Sequence, residues 1–301
     1  MTSTAVPGQA PVPDRPSVRA AAHGDVAAIA EVAIAAGQDE EWSGSDPAYV
    51  QYLLAAGQVV VAVRGGRVIG FGATRRIGAG AADPVMLCDL FVDPRAHGGG
   101  AGRAMLSALF EGTGPRMTFS SLHAMALPLY TSFGLDAWWP LLYLRGDVRA
   151  LAMPGGWSAE PATAAQAAVL EQDWSGTDRS ADYQAWAGRP AGQALVVARA
   201  GQVLAAGVAG GDADGFGLTH LALAPAALAP EPEAARDAVL AALAGLGDGG
   251  VTTARAWLPA PHPAVRPLLA AGWRTGDFDL FMATDPGLLD PRRAVPSPGL
   301  P

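Results

Sequence analysis

Apolar residues in the first part of the chain recur at the three- and four-residue spacing of amphipathic helices. This spacing runs from Val26 to Ala33 and predicts a first helix. A second helix is predicted after Asp46, whose side chain can accept hydrogen bonds from the free amides of a first turn. Pro47 then takes the first helical position, where its missing N–H costs nothing. The pattern therefore predicts two short helices before residue 58.

The spacing then changes to that of strands. Two runs rich in β-branched residues flank Gly65 and Gly66, a dipeptide that tolerates the positive φ angles of a tight hairpin. Strand and helix patterns alternate after this hairpin, through VMLCDLFV (85–92), AGRAMLSALFEG (101–112), RMTFSSL (116–122), HAMALPLYTSFG (123–134) and AWWPLLYLRG (137–146). This order predicts an α/β fold with a mixed, mainly antiparallel sheet flanked by helices.

The second half of the chain repeats this order. Three positions of the second half correspond to positions of the first. Gly201 corresponds to Gly66 in the hairpin, Pro225 to Pro94 at the end of a strand, and Gly272 to Gly134 before the closing strand. We therefore predict two tandem copies of one α/β unit, at residues 16–148 and 157–285, with tails at 1–15 and 286–301.

The two copies differ at two places. The first has RAHGGGAGRA (95–104) after its strand, whereas the second has a stretch rich in alanine and proline without glycine. The position of Tyr130 in the first copy is occupied by Leu268 in the second. If the glycines and the tyrosine carry chemistry, only the first copy is active.

Charge and composition exclude several classes of function. The net charge of −8 does not suit a nucleic-acid surface, which needs clustered cations. The single cysteine, Cys88, excludes an intrachain disulfide and a cysteine-rich metal cluster. No stretch has the length of a membrane span, and the first residues do not resemble a secretion signal. We expect a cytoplasmic protein that needs no metal, nucleic acid or membrane.

The glycine stretch stands between a strand and a helix, where free helical amides and the helix dipole attract anions. A P-loop needs a lysine after the last glycine, and the chain has no lysine. A dinucleotide-binding turn needs a third glycine at the position of Arg103, and a βαβ unit rather than an antiparallel hairpin before it. Both alternatives are disfavoured.

The segment VDPRAHGGGAGRAML (92–106) resembles the coenzyme A signature of the GCN5-related N-acetyltransferases, the GNAT superfamily. Gly100 and Gly102 match its closing Gly-x-Gly, whereas His97 stands at the usual arginine or glutamine position. The segment ALPLYTSFGL (126–135) resembles the second family element, with Tyr130 in place and Leu135 for the usual phenylalanine. The resemblance covers about residues 17–145.

The resemblance implies two GNAT-like domains, the second degenerate, and acetyl-CoA as cosubstrate. It implies main-chain contacts to the cofactor from the signature strand and amide contacts to its diphosphate from the turn, with Arg95 able to compensate for His97. The cofactor contacts that it implies lie at Phe91, Val92, Arg95, His97, Gly98, Gly99, Gly100, Ala101, Gly102 and Arg103. Many members recruit a second subunit, so either a monomer forming an internal pseudo-dimer or a homodimer is expected.

Acetyl transfer to an amine needs a base, an acid and an acceptor pocket. Tyr130 is the predicted acid, although its spacing with Leu127 and Phe133 also fits a core tyrosine. Asp89 is the predicted base because it stands alone in an apolar strand, where a hydrogen bond to a loop is the alternative. His123 is the rival base, with a helix cap as its alternative role.

The stretch GQDEEWSGSD lies between the first two helices, where GNAT proteins often form part of the acceptor pocket. Glu40 and Glu41 can attract an ammonium group there and Trp42 can cover it, but a solvated acidic loop is the usual explanation of such a run. The predicted function is transfer of acetyl to a small-molecule amine. A protein lysine acetyltransferase and a non-catalytic acyl-CoA-binding or partner-binding module are the alternatives.

Overall fold

A computed structural model of the protein describes residues 15–38, 43–78, 83–189, 191–212, 215–225 and 232–297. The first half begins with a short strand and two helices and continues with the predicted hairpin. Its elements are β1 Ser17–Ala20, α1 Val26–Ala35, α2 Pro47–Ala56, β2 Gln58–Arg64, β3 Arg67–Arg76, β4 Val85–Val92, α3 Ala101–Leu109, β5 Arg116–Ser120, α4 Ala126–Thr131 and β6 Asp136–Asp147.

The second half follows the same order of elements. These are β7 Trp157–Ala162, α5 Ala164–Ser175, α6 Ser180–Ala187, β8 Gln193–Arg199, β9 Gln202–Asp212, β10 Gly215–Leu223, α7 Pro232–Asp248, β11 Thr253–Pro259, α8 Val265–Ala270 and β12 Arg274–Ala283. The mixed α/β class and the repeat of the order are confirmed. Asp46 caps α2 by accepting the Ala48 N–H, as its sequence position predicts.

The strands of both halves form one twelve-stranded sheet among the described residues, in the order β1-β2-β3-β4-β5-β12-β6-β11-β10-β9-β8-β7. The last strand of each half lies beside the other half. Strand β12 pairs with β5 of the first half, and β6 pairs with β11 of the second, both antiparallel. The two copies therefore exchange their closing strands within one chain, which the sequence repeat did not predict.

Strands β4 and β5 are parallel and separate partway along their length. Their pairing runs from Val85 beside Arg116 to Leu87 beside Thr118, although β4 continues for five more residues. A β-bulge at Cys88 accompanies the separation, because Asp89 pairs with Ala73 of β3 whereas Leu87 pairs with Thr74. Beyond Leu87, one edge of β4 is left open toward a cleft.

Helices cover the sheet on opposite faces. Helix α3 and Tyr130 of α4 belong to a core cluster with Leu87 and Met282, whereas α1, α2, α5 and α6 share another cluster. No helix among the described residues is long and apolar enough to cross a membrane. Within the predicted C-terminal tail, Val295 is buried and pairs with Leu221, so this part of the tail packs against β10.

Candidate active site

The turn between β4 and α3 has the backbone conformation that its glycines allow. Gly98 and Gly100 have φ angles of +77° and +80°, which side-chain-bearing residues rarely adopt. The first backbone bond of α3 runs from the Ala104 N–H to the Gly100 carbonyl. The amides of residues 101–103 therefore precede the helical hydrogen-bond ladder and form an anion-binding terminus. Gly98 is one of the implied cofactor contacts, and its φ angle favours glycine.

A cleft of about 560 Å³ joins this turn to the tyrosine helix. This volume lies in the range of roughly 300–1,000 Å³ that is typical of ligand pockets. The predicted residues among its lining are Phe91, Val92, His97, Gly98, Gly100, Ala101, Gly102, Arg103, His123 and Tyr130. Residues of both segments that resemble the family, 92–106 and 126–135, thus line one cavity.

Two predicted cofactor residues are not part of this lining. The Arg95 guanidinium pairs with the buried Asp93 carboxylate at 2.8 Å, and Arg67 pairs with the same carboxylate at 2.7 Å. Gly99 lies against the Arg64 guanidinium, which a Cβ atom at this position would displace. The structure therefore places Arg95 and Gly99 in contacts that support the turn from outside the cleft.

The open edge of β4 presents backbone groups to the cleft. The Asp93 N–H donates to the Ile69 carbonyl of the first hairpin, so the peptide groups of Leu90 and Val92, which alternate with it, point away from β3. His97 Nε2 lies 3.0 Å from the Val92 carbonyl oxygen. Leu90, which lines the cleft, was not among the predicted residues because nothing in an apolar strand distinguishes one peptide group from the next.

Tyr130 reaches the cleft from α4. Its side chain is 8% exposed, and its hydroxyl has no hydrogen-bond partner among the described residues. Burial raises the pKa of Tyr130 above its ordinary value, and the carboxylates of Asp89 and Asp279 raise it further. The phenol therefore stays neutral at physiological pH and retains a proton that it can donate.

Asp89 lies on β4 directly after the bulge. The Tyr49 hydroxyl of α2 donates to Asp89 Oδ2 at 2.7 Å. Burial raises the pKa of this carboxyl to about 6, against the lowering effect of the Tyr49 hydrogen bond. The group is thus ionised near neutral pH and can accept a proton. No basic side chain pairs with it among the described residues.

His123 lines the cleft on the other side of the turn. Its Nδ1 accepts the Met125 N–H at 3.3 Å just before α4 begins, and its ring meets that of His97 edge-on at a centroid distance of 5.9 Å. The helix is shorter than its sequence pattern predicts, because it begins at Ala126 after this turn. His123 therefore caps the turn before α4 while one face remains at the cleft.

The predicted acceptor residues Glu40, Glu41 and Trp42 lie outside the described residues. The structure instead brings another carboxylate, that of Asp279, within electrostatic reach of Tyr130. Asp279 of the exchanged strand β12 accepts a hydrogen bond from the Tyr143 hydroxyl of β6 at 2.6 Å. Neither residue was singled out in the sequence, since no local motif marks them.

Residues 55–134 match the family model of the acetyltransferase (GNAT) domain. The match contains the glycine turn, Asp89 and Tyr130, and it ends within the first half. No curated protein gives a significant match to the sequence.

Solved structures match nearly the whole chain. A putative acetyltransferase from Pyrococcus horikoshii is similar with a TM-score of 0.68 at 13% identity, over 94% of each chain. A GCN5-related N-acetyltransferase from Anabaena variabilis gives 0.63 at 11% identity, over 89% of this chain and 72% of its own. A tandem GNAT protein from the clavulanic acid biosynthesis pathway gives 0.60 at 16% identity, over 90% and 99%. The chain therefore has the fold of tandem GNAT proteins, and its residues 55–134 match the acetyltransferase (GNAT) domain model.

Proposed function

We propose that this protein is an acetyl-CoA-dependent N-acetyltransferase that acetylates a primary amine of a small molecule in a ternary complex. The observation that carries the proposal is the cleft at the β4–β5 separation, which contains both the α3 glycine turn and the Tyr130 side chain, whose hydroxyl has no partner within the described part of the chain. An anion site and a proton donor in one cavity are what transfer from a phosphate-bearing thioester requires.

The donor side of the cleft fits the cosubstrate. An added Cβ at Gly98 or Gly100 would meet no atom within 4 Å, so the turn is held open on this side and not packed by neighbouring side chains. The amides at the start of α3 would hold the diphosphate, and the Leu90 peptide groups and the Val92 N–H would hold the amide-containing arm. The cosubstrate supplies an activated acetyl thioester.

The chain's own residues would move the protons. Asp89, ionised near neutral pH, takes a proton from the acceptor amine as the new C–N bond forms. Tyr130, neutral at this pH, gives its proton to the sulfur as the C–S bond breaks. Asp89 lies on a strand and contacts α2 on one face of the sheet, whereas Tyr130 lies on a helix that covers the other face. The two faces meet at the open edge of β4, where the sheet is interrupted.

The proposal is tested by incubating the purified chain with acetyl-CoA and a panel of small amines that also contains a lysine peptide. We expect thiol release that depends on the amine and an acetylated product of the corresponding mass. Acetyl-CoA binding without release with any amine would instead identify a non-catalytic binding module. The contact of His97 with the Val92 carbonyl favours that second candidate, because it occupies a group that the cosubstrate would otherwise use.

The exchange of β6 and β12 supports a monomer, since each half already receives the strand that a second subunit would otherwise add. A single, half-buried thiol at Cys88 and an acyl-CoA substrate suit a cytoplasmic location. Gel filtration with light scattering tests the monomer directly. A stable dimer would show that the strand exchange within the chain does not replace a second subunit.

A further inference from the structure

Asp279, like Asp89, differs from the other well-shielded aspartates among the described residues. Asp25, Asp93 and Asp182 each pair with an arginine, at 2.7, 2.7 and 2.5 Å. Asp279 accepts only the Tyr143 hydroxyl, and no basic side chain pairs with it among the described residues. A shielded carboxylate without a cation is costly unless a ligand supplies the charge.

The position of Asp279 connects it to the acetyl-transfer site. On β12, Leu280 pairs with Ser120, the last residue of β5, so Asp279 lies one step beyond the end of that strand. This is the end at which β4 and β5 separate. Asp279 also shares a sheet face with Phe281 and Tyr143, the face on which Asp89 meets Tyr49 of α2.

The Tyr130 side chain provides an independent indication that a ligand belongs here. It is more than nine-tenths buried, lines the cleft, and has no hydrogen-bond partner among the described residues for its hydroxyl. Both Asp89 and Asp279 lie within electrostatic reach of this hydroxyl. Among the described residues, two carboxylates without a basic partner and one hydroxyl without a hydrogen-bond partner thus lie near the place where the strands separate.

We propose that Asp279, brought by strand β12 of the C-terminal half, is the residue that selects the acceptor, by pairing with a second cationic group while the reacting amine lies at Asp89. The inference rests on the proposed acetyl transfer and names its acceptor class, a compound with two amino groups. It also gives the second half a role, because without β12 the acceptor site has only one of its two carboxylates.

The test compares linear diamines with monoamines of the same chain length, 1,4-diaminobutane with butylamine and 1,5-diaminopentane with pentylamine. We expect kcat/KM to be at least about tenfold higher for the diamines, the scale of one charged hydrogen bond. In Asp279→Asn this preference is lost through a higher KM for diamines, whereas the KM for monoamines and the acetyl-CoA Kd stay unchanged.

Asp277→Asn is the matched control, since it removes the same charge from an exposed position two residues earlier on β12. It should leave the diamine preference intact. Asp279→Asn should not lower Tm, because it removes an unpaired charge and no ion pair. An equal loss with both kinds of amine, or an unchanged diamine KM, would overturn the proposal.

Calorimetry with the diamines in the presence of coenzyme A separates this inference from the proposed function. If no amine is acetylated, diamine binding that Asp279→Asn abolishes still supports the acceptor site while acetyl transfer fails. If amines are acetylated but Asp279→Asn changes neither diamine binding nor diamine turnover, only this inference fails. Absence of both turnover and diamine binding overturns both.

Discussion

The two halves differ in the hydrogen-bond partners of the residue that follows the bulge in β4 and in β10. β10 bulges at Thr219 as β4 does at Cys88, which places His220 where the first half has Asp89. His220 Nε2 lies 2.9 Å from Glu171, and Glu171 also accepts the Tyr183 hydroxyl at 2.8 Å. Asp89 has only Tyr49 among the described residues. At this position the second half therefore pairs a histidine with a carboxylate of its own, whereas the first leaves a carboxylate available to a ligand.

The tyrosine position shows the same contrast. Leu268 replaces Tyr130 and is fully buried in a core cluster with Trp273. Trp273 itself takes the position of Leu135 and packs against Gly146. At the tyrosine position the second copy thus has a packed core residue where the first has a tyrosine lining the cleft, and it contributes strand β12 to the first copy.

The largest expected effect is on the connection between the halves. Asp182 of α6 is buried and pairs with Arg75 of β3 at 2.5 Å and with Arg179 at 3.0 Å, and it also accepts the Tyr52 hydroxyl. Asp182→Ala leaves the two guanidinium groups without this carboxylate. We expect the free energy of unfolding to fall by about 3–5 kcal/mol, measured by urea denaturation.

Asp147→Ala serves as the control for Asp182→Ala. Asp147 pairs with Arg149 at 2.7 Å, but both side chains are well exposed. Its loss should cost less than about 1 kcal/mol. Similar losses in the two variants would show that the halves are not joined by the buried pair.

The next effect distinguishes the two tyrosines. Tyr130→Phe removes the proposed acid, and kcat should fall by about 100-fold with little change in Tm or acetyl-CoA affinity. Tyr183→Phe removes a hydroxyl that donates to Glu171, so it should lower stability by about 1 kcal/mol and leave kcat unchanged. Steady-state thiol release and thermal melts measure both. A fall of kcat in Tyr183→Phe but not in Tyr130→Phe would reverse the assignment of the halves.

A smaller effect is expected from two glycines with matched backbone conformations. Gly100 and Gly272 have φ angles of +80° and +91°, and a Cβ at either would meet no neighbour within 4 Å. Alanine at each should cost about 1–2 kcal/mol of stability. Only Gly100→Ala should also weaken acetyl-CoA binding, by about tenfold in calorimetry. Equal affinities in the two variants would remove the glycine turn from the binding site.

The smallest effect concerns pH. If Asp89 is the base, kcat/KM should fall below its pKa of about 6, and Asp89→Asn should abolish this acidic limb. The Tyr49 hydrogen bond lowers that pKa, so Tyr49→Phe should move the limb to higher pH. A limb that stays in place in Asp89→Asn would assign it to another group, with His123 the first to test.

The same pKa also determines a stability effect with a definite sign. Because the folded pKa lies above the ordinary 3.8, the folded state holds this proton more tightly than the unfolded chain does. The contribution of Asp89 to stability is therefore greatest below pH 4 and is lost as pH rises through about 6. Asp89→Asn should raise Tm at pH 8 and not at pH 4.

Local features of the site could be predicted from the sequence. The positive φ angles at Gly98 and Gly100 and the start of α3 at Ala101 follow from residues within one turn of one another. Tyr130 was found because its helix carries a recognisable segment. The roles of Asp89, Tyr130 and the loop at 39–42 stay predictions.

Features that depend on distant partners could not be predicted. Asp89 meets Tyr49 across 40 positions of sequence, and Asp279 meets Tyr143 across 136. The local sequence around a carboxylate does not indicate whether an arginine will reach it, as one reaches Asp182 but none reaches Asp279 among the described residues. The exchange of β6 and β12 is equally hidden, because both orders of strands bury the same apolar faces.

The stoichiometry of acetyl-CoA binding tests the central claim most directly, namely that only the first half forms a cofactor site. Isothermal titration of the intact chain should give one molecule bound per chain, with affinity weakened in Gly100→Ala and unchanged in Gly272→Ala. Two molecules bound per chain, or one whose affinity depends on Gly272 and not on Gly100, would contradict the account.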